Sequence, residues 1–195
     1  MRTSNIKRKT KETDIELTLS ILDCGKKGSF KGTSGIGFFD HMLNSFASHG
    51  GFDIDLRCEG DLFVDGHHTV EDVGIVLGMA LKEAAGDMKG IKRFSDILMP
   101  MDEALIMCAV DYSGRAYLAF DSEFVSPMIG DYDTQLTVEF MRALASNAGI
   151  TLHLKTLYGA NDHHKVEALY KAAGKCIGDA LRIVSDEIMS TKGSL

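Results

Sequence analysis

Two stretches of this sequence carry the same set of side chains able to bind metal ions or move protons. His67-His68-x-x-Glu71 and His163-His164-x-x-Glu167 each place two imidazoles and a carboxylate within five residues. On a helix, Glu71 neighbours both His67, four residues back, and His68, three residues back. The two imidazoles of a pair diverge by about 100° around the axis, because a turn takes 3.6 residues. Adjacent histidines therefore cannot comfortably grip one ion, but they can serve two. Together the copies offer four His and two Glu without a thiolate, a donor set suited to Mn, Fe, Co or Zn. A lone His pair on a helix is commonly a solvated polar patch. Duplication of the pair, with its surroundings, turns the reading toward metal.

The surroundings are indeed duplicated. GHHTVEDVGIVLGMAL (66–81) lines up with DHHKVEALYKAAGKCI (162–177) at an offset of 96 (163 minus 67), matching Val70 with Val166 and Gly78 with Gly174. Upstream, FASHGGFDIDL (46–56) aligns with LASNAGITLHL (144–154) at an offset of 98 (144 minus 46). That register sets His41 opposite Glu139, so these two are expected to complete a pair of N/O-rich sites. His49 and His153 fall opposite Asn147 and Asp55, break the pattern, and read as ordinary polar residues.

The elements that must hold these groups follow from periodicity. Residues 13–22, 52–60, 104–111 and 150–157 alternate as strands do, and 40–48, 67–85, 135–146 and 163–188 carry helical spacing. Each half thus reads strand, helix, strand, helix, which predicts an α+β fold with sheets covered by helices on one face. The expected division is a first repeat over 1–97 and a second over 98–195, forming one compact unit.

Composition narrows the function. The chain has 195 residues and a net charge of −7, which argues against a general nucleic-acid partner. No apolar run approaches the roughly 20 residues of a membrane span. The basic N-terminus has no apolar segment of the secretory kind, so a cytoplasmic location is expected. Cys24, Cys58, Cys108 and Cys176 form no CxxC pair and read as small buried residues in a reducing compartment. Neither GTSGIG (32–37) nor GKKGSFKG (25–32) has the spacing of a phosphate loop. Arg93, Arg115, Lys171 and Lys192 lie near predicted element ends, where they could form an anion site or merely surface ion pairs.

The stretches GIGFFDHML (35–43), FVDGHHTVEDVGIVLG (63–78), MDEAL (101–105), YDTQLTVEFMRAL (132–144), GANDHHKVEAL (159–169) and STKGSL (190–195) carry a specific resemblance. They are similar to the imidazoleglycerol-phosphate dehydratases of histidine biosynthesis, from KET (11–13) to the end of the chain. The resemblance implies two βαβ-like repeats of the ribosomal protein S5 domain 2-like kind, in trimers that build a 24-subunit shell. It implies two manganese ions per active site, at subunit interfaces. The ligands would be His41, His67, His68, Glu71, Glu139, His163, His164 and Glu167. Many members have His at the position of Glu139, so this chain would bring an extra negative charge there.

The same resemblance puts a small-molecule phosphate on Arg93, Arg115, Lys171, Ser190 and Lys192, and makes Glu12 the acid/base carboxylate. The implied reaction removes water from D-erythro-imidazole glycerol phosphate to give imidazole acetol phosphate. The carbon-bound proton is not adjacent to a carbonyl, so metals on the imidazole nitrogens would let the ring expel the neighbouring hydroxyl. Two rivals use the same ligands: a dinuclear metallohydrolase acting on a phosphate-bearing small molecule, and a non-catalytic shell protein bridged by metal.

Overall fold

The computed structural model describes residues 1–190. The first half runs β1 (Arg2–Lys9), β2 (Thr13–Ile21), β3 (Ser29–Thr33), α1 (Gly37–Gly50), β4 (Phe52–Gly60) and α2 (His67–Ala85). The second half repeats that order as β5 (Phe94–Met101), β6 (Ala104–Asp111), β7 (Tyr117–Asp121), α3 (Leu136–Ala148), β10 (Thr151–Tyr158) and α4 (Asp162–Ala180). A small hairpin, β8 (Met128–Ile129) with β9 (Tyr132–Asp133), precedes α3. The two four-stranded sheets have the same order, β1-β2-β4-β3 and β5-β6-β10-β7. In each, the last-formed inner strand is antiparallel to its hairpin neighbour and parallel to the edge strand. The fold is α+β and internally duplicated.

Alternation decides which side of each sheet is covered. Thr13, Ile15, Leu17, Leu19 and Ile21 of β2 are buried, and so are Ala104, Ile106, Cys108 and Val110 of β6. In each half the two helices cover that face. They then pack on the helices of the other half, α1 against α4 and α2 against α3. The layers run sheet, helices, helices, sheet, and one apolar core spans both halves. Phe39, Phe140 and Tyr170 meet at its centre, with ring centroids 5.4 Å and 4.9 Å apart for Phe39–Phe140 and Phe140–Tyr170.

Helix contact this close depends on missing side chains. A Cβ on Gly174 would lie 2.3 Å from the Phe46 carbonyl oxygen of α1, and one on Gly78 would lie 2.7 Å from that of Leu144 in α3. The matched glycines of the repeat therefore do the same work in both helix pairs. Helices α1 and α3 also end alike, on Gly51 (φ 71°) and Gly149 (φ 69°), the left-handed turn that a side chain disfavours.

Several expectations are corrected here. The last helix ends at Ala180 rather than 188. Beyond it the backbone pairs with the segment linking the halves: Arg93 N–H donates to Ala180 (2.8 Å), Lys92 to Arg182 (2.7 Å), and Val184 to Gly90 (2.8 Å). A boundary at 97/98 falls inside β5, because the chain crosses between halves over residues 86–93. The first half has two strands more than its expected pattern, and the second has four more, two of them the short β8–β9 hairpin. Strand β1 hides in the basic N-terminus, where only Ser4 is buried. Cys108 and Cys176 are buried as expected, but Cys24 is exposed and Cys58 half-buried.

Candidate active site

Helix α1 brings His41 across the interface to α4, where it meets His163 and Glu167. His41 Nε2 lies 3.3 Å from Glu167 Oε2, and His163 Nε2 lies 3.2 Å from the same oxygen. Among the described residues, this is the one group of three or more His, Cys or acidic side chains whose ligand atoms lie within 4.8 Å of one another. Phe38 packs edge-on against His163, with centroids 5.1 Å apart. Lys171, one turn further along α4, pairs with the other oxygen of Glu167 at 2.8 Å. Burial pushes the Glu167 carboxyl up, but Lys171 and His41 pull it down by more, and it lies below the ordinary carboxylate range. An ionised carboxylate with two imidazoles is a fit donor set for Mn²⁺ or a similar ion.

The equivalent group of the other helix pair is looser. His67 Nε2 is 3.7 Å from Glu71 Oε2, while the Glu139 carboxylate is paired with Arg142 on its own helix. Glu139 lies on α3, which packs on α2 as α1 packs on α4, so its helix is where the repeat requires.

The second histidine of each pair turns away from these groups, as helical geometry requires. The ring planes of His67 and His68 stand at 89°, and those of His163 and His164 at 77°. His68 Nδ1 contacts both oxygens of Asp61 (3.0 and 3.2 Å), and its Nε2 lies 3.7 Å from Glu12. His164 Nδ1 contacts Glu103 Oε2 at 2.7 Å, and its Nε2 lies 3.5 Å from Asp102. The carboxylates raise both imidazoles above the ordinary histidine value, Asp61 for His68 and Glu103 for His164. Glu103 is in turn held down to about 2, chiefly by the Asn161 amide and by His164.

Of the expected phosphate cations among the described residues, Arg93 and Arg115 meet and Lys171 stands apart. Arg93 Nε (2.8 Å) and Arg115 Nη2 (3.3 Å) share Asp111, and Arg93 Nη1 donates to the Met189 carbonyl at 2.6 Å. Ser190 follows Met189, the residue whose carbonyl the Arg93 guanidinium holds. Arg93 also adopts a left-handed backbone (φ 71°), which costs a non-glycine residue roughly 1–2 kcal/mol. Lys171 stands nine residues from Ala180, the partner of the Arg93 amide, or about 14 Å along the helix. Lys192 lies outside the described residues. His49 and His153 stay apart from the His–carboxylate groups, His49 bonding to the Ser45 carbonyl.

Asp61, Asp102 and Glu103 are the site residues that sequence reasoning missed. The signal was available for Glu103: it immediately precedes β6, as Glu12 immediately precedes β2.

Taken together, the fold and site define a duplicated α+β enzyme with matching His–carboxylate sets in its two halves. The model of the family described as imidazoleglycerol-phosphate dehydratase matches residues 34–177. Proteins of that name from Caldicellulosiruptor bescii and Methanosarcina mazei are each 53% identical to this chain. The alignments cover all of this chain and 98% and 100% of theirs. The crystal structure of the Staphylococcus aureus enzyme of that name superimposes with a TM-score of 0.83 at 35% identity, covering 93% of this chain and 99% of that one. For the Pyrococcus furiosus structure the TM-score is 0.81 at 37% identity, covering 97% and 100%. The chain belongs to the imidazoleglycerol-phosphate dehydratase family, hydro-lyases of histidine biosynthesis.

Proposed function

We propose that this chain removes water from D-erythro-imidazole glycerol phosphate to give imidazole acetol phosphate, using two manganese ions per active site. The observation that carries the metal assignment is the convergence of His41, His163 and Glu167 from two helices that belong to different halves. His67, Glu71 and Glu139 would hold the second ion. His68 and His164, each turned away from its neighbour's group, would complete sites on adjoining subunits, which favours assembly of trimers into a 24-subunit shell. When bound, the ions supply Lewis-acid polarisation of the substrate's imidazole ring.

The chain's own residues do the rest. Glu12 carries its carboxylate at the β1–β2 turn, half exposed and 3.7 Å from His68 Nε2, where it can reach a proton on a substrate carbon or hydroxyl. Arg93 and Arg115 would exchange their shared Asp111 for the substrate phosphate, with Lys171 contributed from another copy and Ser190 and Lys192 supplying the further contacts that the family resemblance implies. Bidentate guanidinium contacts suit that group. No helix among the described residues is long and apolar enough to cross a membrane.

The test is the Glu12→Gln variant in the metal-loaded protein. Turnover should fall by about 10²–10⁴-fold, the usual worth of a general acid or base, with metal content and assembly unchanged. The product of the wild-type reaction should be a ketone. Release of inorganic phosphate instead would select the metallohydrolase, and retained turnover in E12Q would remove Glu12 from the chemistry.

A further inference from the structure

The two outward-turned histidines meet the same electrostatic arrangement from carboxylates that are not equivalent in the repeat. Asp61 follows Gly60 at the end of β4, and Gly60 sits against Thr69 of α2: an added Cβ there would lie 2.1 Å from the Thr69 hydroxyl. The matching glycine of the second half is Gly159, which sits against Lys165, the counterpart of Thr69. The residue after it is Ala160, with no side chain to reach His164. Glu103 fills that gap from the β5–β6 turn. Its Oε1 accepts the amide hydrogens of Ala160 (3.1 Å) and Asn161 (2.7 Å), which aims Oε2 at His164 Nδ1, 2.7 Å away.

We infer that Asp61 and Glu103 are positioning residues that fix the proton of His68 and His164 on Nδ1, leaving each Nε2 lone pair free for a metal ion. A carboxylate accepts and cannot donate, so the nitrogen facing it must carry the hydrogen. Two halves of one chain reach this result from different loops, which marks the Nδ1 partner as a requirement of the site rather than an accident of folding. Outer partners of this kind orient ligating histidines, and losing one costs about 10–100-fold in metal affinity. This inference rests on the metal-binding reading above.

The two partners differ in a way that makes the test sharp. Both Asp61 oxygens face His68 alone, so Asp61→Asn can still present an oxygen to Nδ1. Glu103 uses one oxygen for the amides and one for His164. Glu103→Gln keeps its oxygen on the amides and turns its NH₂ toward Nδ1, forcing the ring proton to Nε2. A role in shape alone would leave the isosteric E103Q harmless.

The experiment measures Mn²⁺ affinity by chelator competition for the wild type, D61A, D61N and E103Q. Nitrogen NMR of the metal-free, histidine-labelled wild type reads the ring tautomers without any substitution. We expect Nδ1–H rings for His68 and His164, a 10–100-fold loss of affinity in D61A and E103Q, and near wild-type affinity in D61N. Nε2–H rings, or E103Q binding like wild type, overturn the inference while the metal reading stands. A wild-type chain that takes up no Mn²⁺ overturns both. Should a variant fail to fold, the wild-type tautomers decide.

Discussion

Substituting Gly174 by Ala tests whether the spacing of α1 and α4 sets the His41–His163–Glu167 group. The new methyl would stand 2.3 Å from the Phe46 carbonyl oxygen and 3.0 Å from its Cα, both rigid backbone atoms, whereas ordinary contact begins near 3.4 Å. Helix α1 must therefore retreat by about 0.7–1 Å. Such overpacking costs about 1–3 kcal/mol, offset by roughly 1 kcal/mol from the better helix propensity of alanine. A net loss of up to about 2 kcal/mol lowers the melting temperature by up to about 8 °C in a chain of this size. The same retreat carries His41, five residues from Phe46, away from Glu167, now 3.3 Å distant. A site needs its ligands placed within about 0.5 Å, so Mn²⁺ affinity should fall as well. The assay pairs thermal unfolding at fixed protein concentration with metal titration. Gly37→Ala is the control: it begins α1, its φ is ordinary, and its nearest neighbour, Asp131 Oδ2, is 3.6 Å away. If G174A melts with the wild type and binds metal as tightly, helix spacing does not govern the site.

Two further substitutions probe how the elements are tied down. Asp72 is buried on α2, where it pairs with Arg8 of β1 (2.5 Å) and accepts from the Thr13 hydroxyl (2.5 Å). Asp72→Ala removes both contacts and, with Arg8 30% exposed, should cost about 1–3 kcal/mol in thermal or denaturant unfolding; a melting temperature equal to that of wild type would contradict the pairing. Asp131, from the β8–β9 turn, accepts the Gly37 (2.7 Å) and Phe38 (3.2 Å) amides at the start of α1. Burial pushes its carboxyl up, but those amides outweigh it, and the net value lies below the ordinary 3.8. Its native value being depressed, the stabilisation is complete above about pH 4 and lost as pH falls through the native value. Asp131→Asn should therefore melt lower at neutral pH by the equivalent of about 1 kcal/mol and converge with wild type as acid takes the pH below the native value of Asp131. Parallel melting curves across that range would rule the cap out.

Much of this protein was legible in its sequence because the relevant signals are local. The strand at 52–60 and the helix at 67–85 follow from periods of 2 and 3.6 residues, and both stand at those bounds. Divergence of His67 from His68 needs only helical geometry. Elements without a buried face escaped: β1 shows water most of its length, and β3, at a sheet edge, is glycine-broken and mostly exposed. The helical spacing read over 163–188 overran the helix: Ile183 and Val184 are exposed where the chain pairs with the link between halves.

The duplicated chain fixed which residues could bind metal, since two HHxxE elements on helices present their donors in a set way. Tertiary structure alone decided which of them meet. His41 and Glu167 converge only because α1 crosses to the opposite half and the glycines of α4 admit it, a contact that no local period encodes. The same holds for Glu103, whose side chain reaches His164 because a turn between two strands comes to rest beside the start of a helix some sixty residues on.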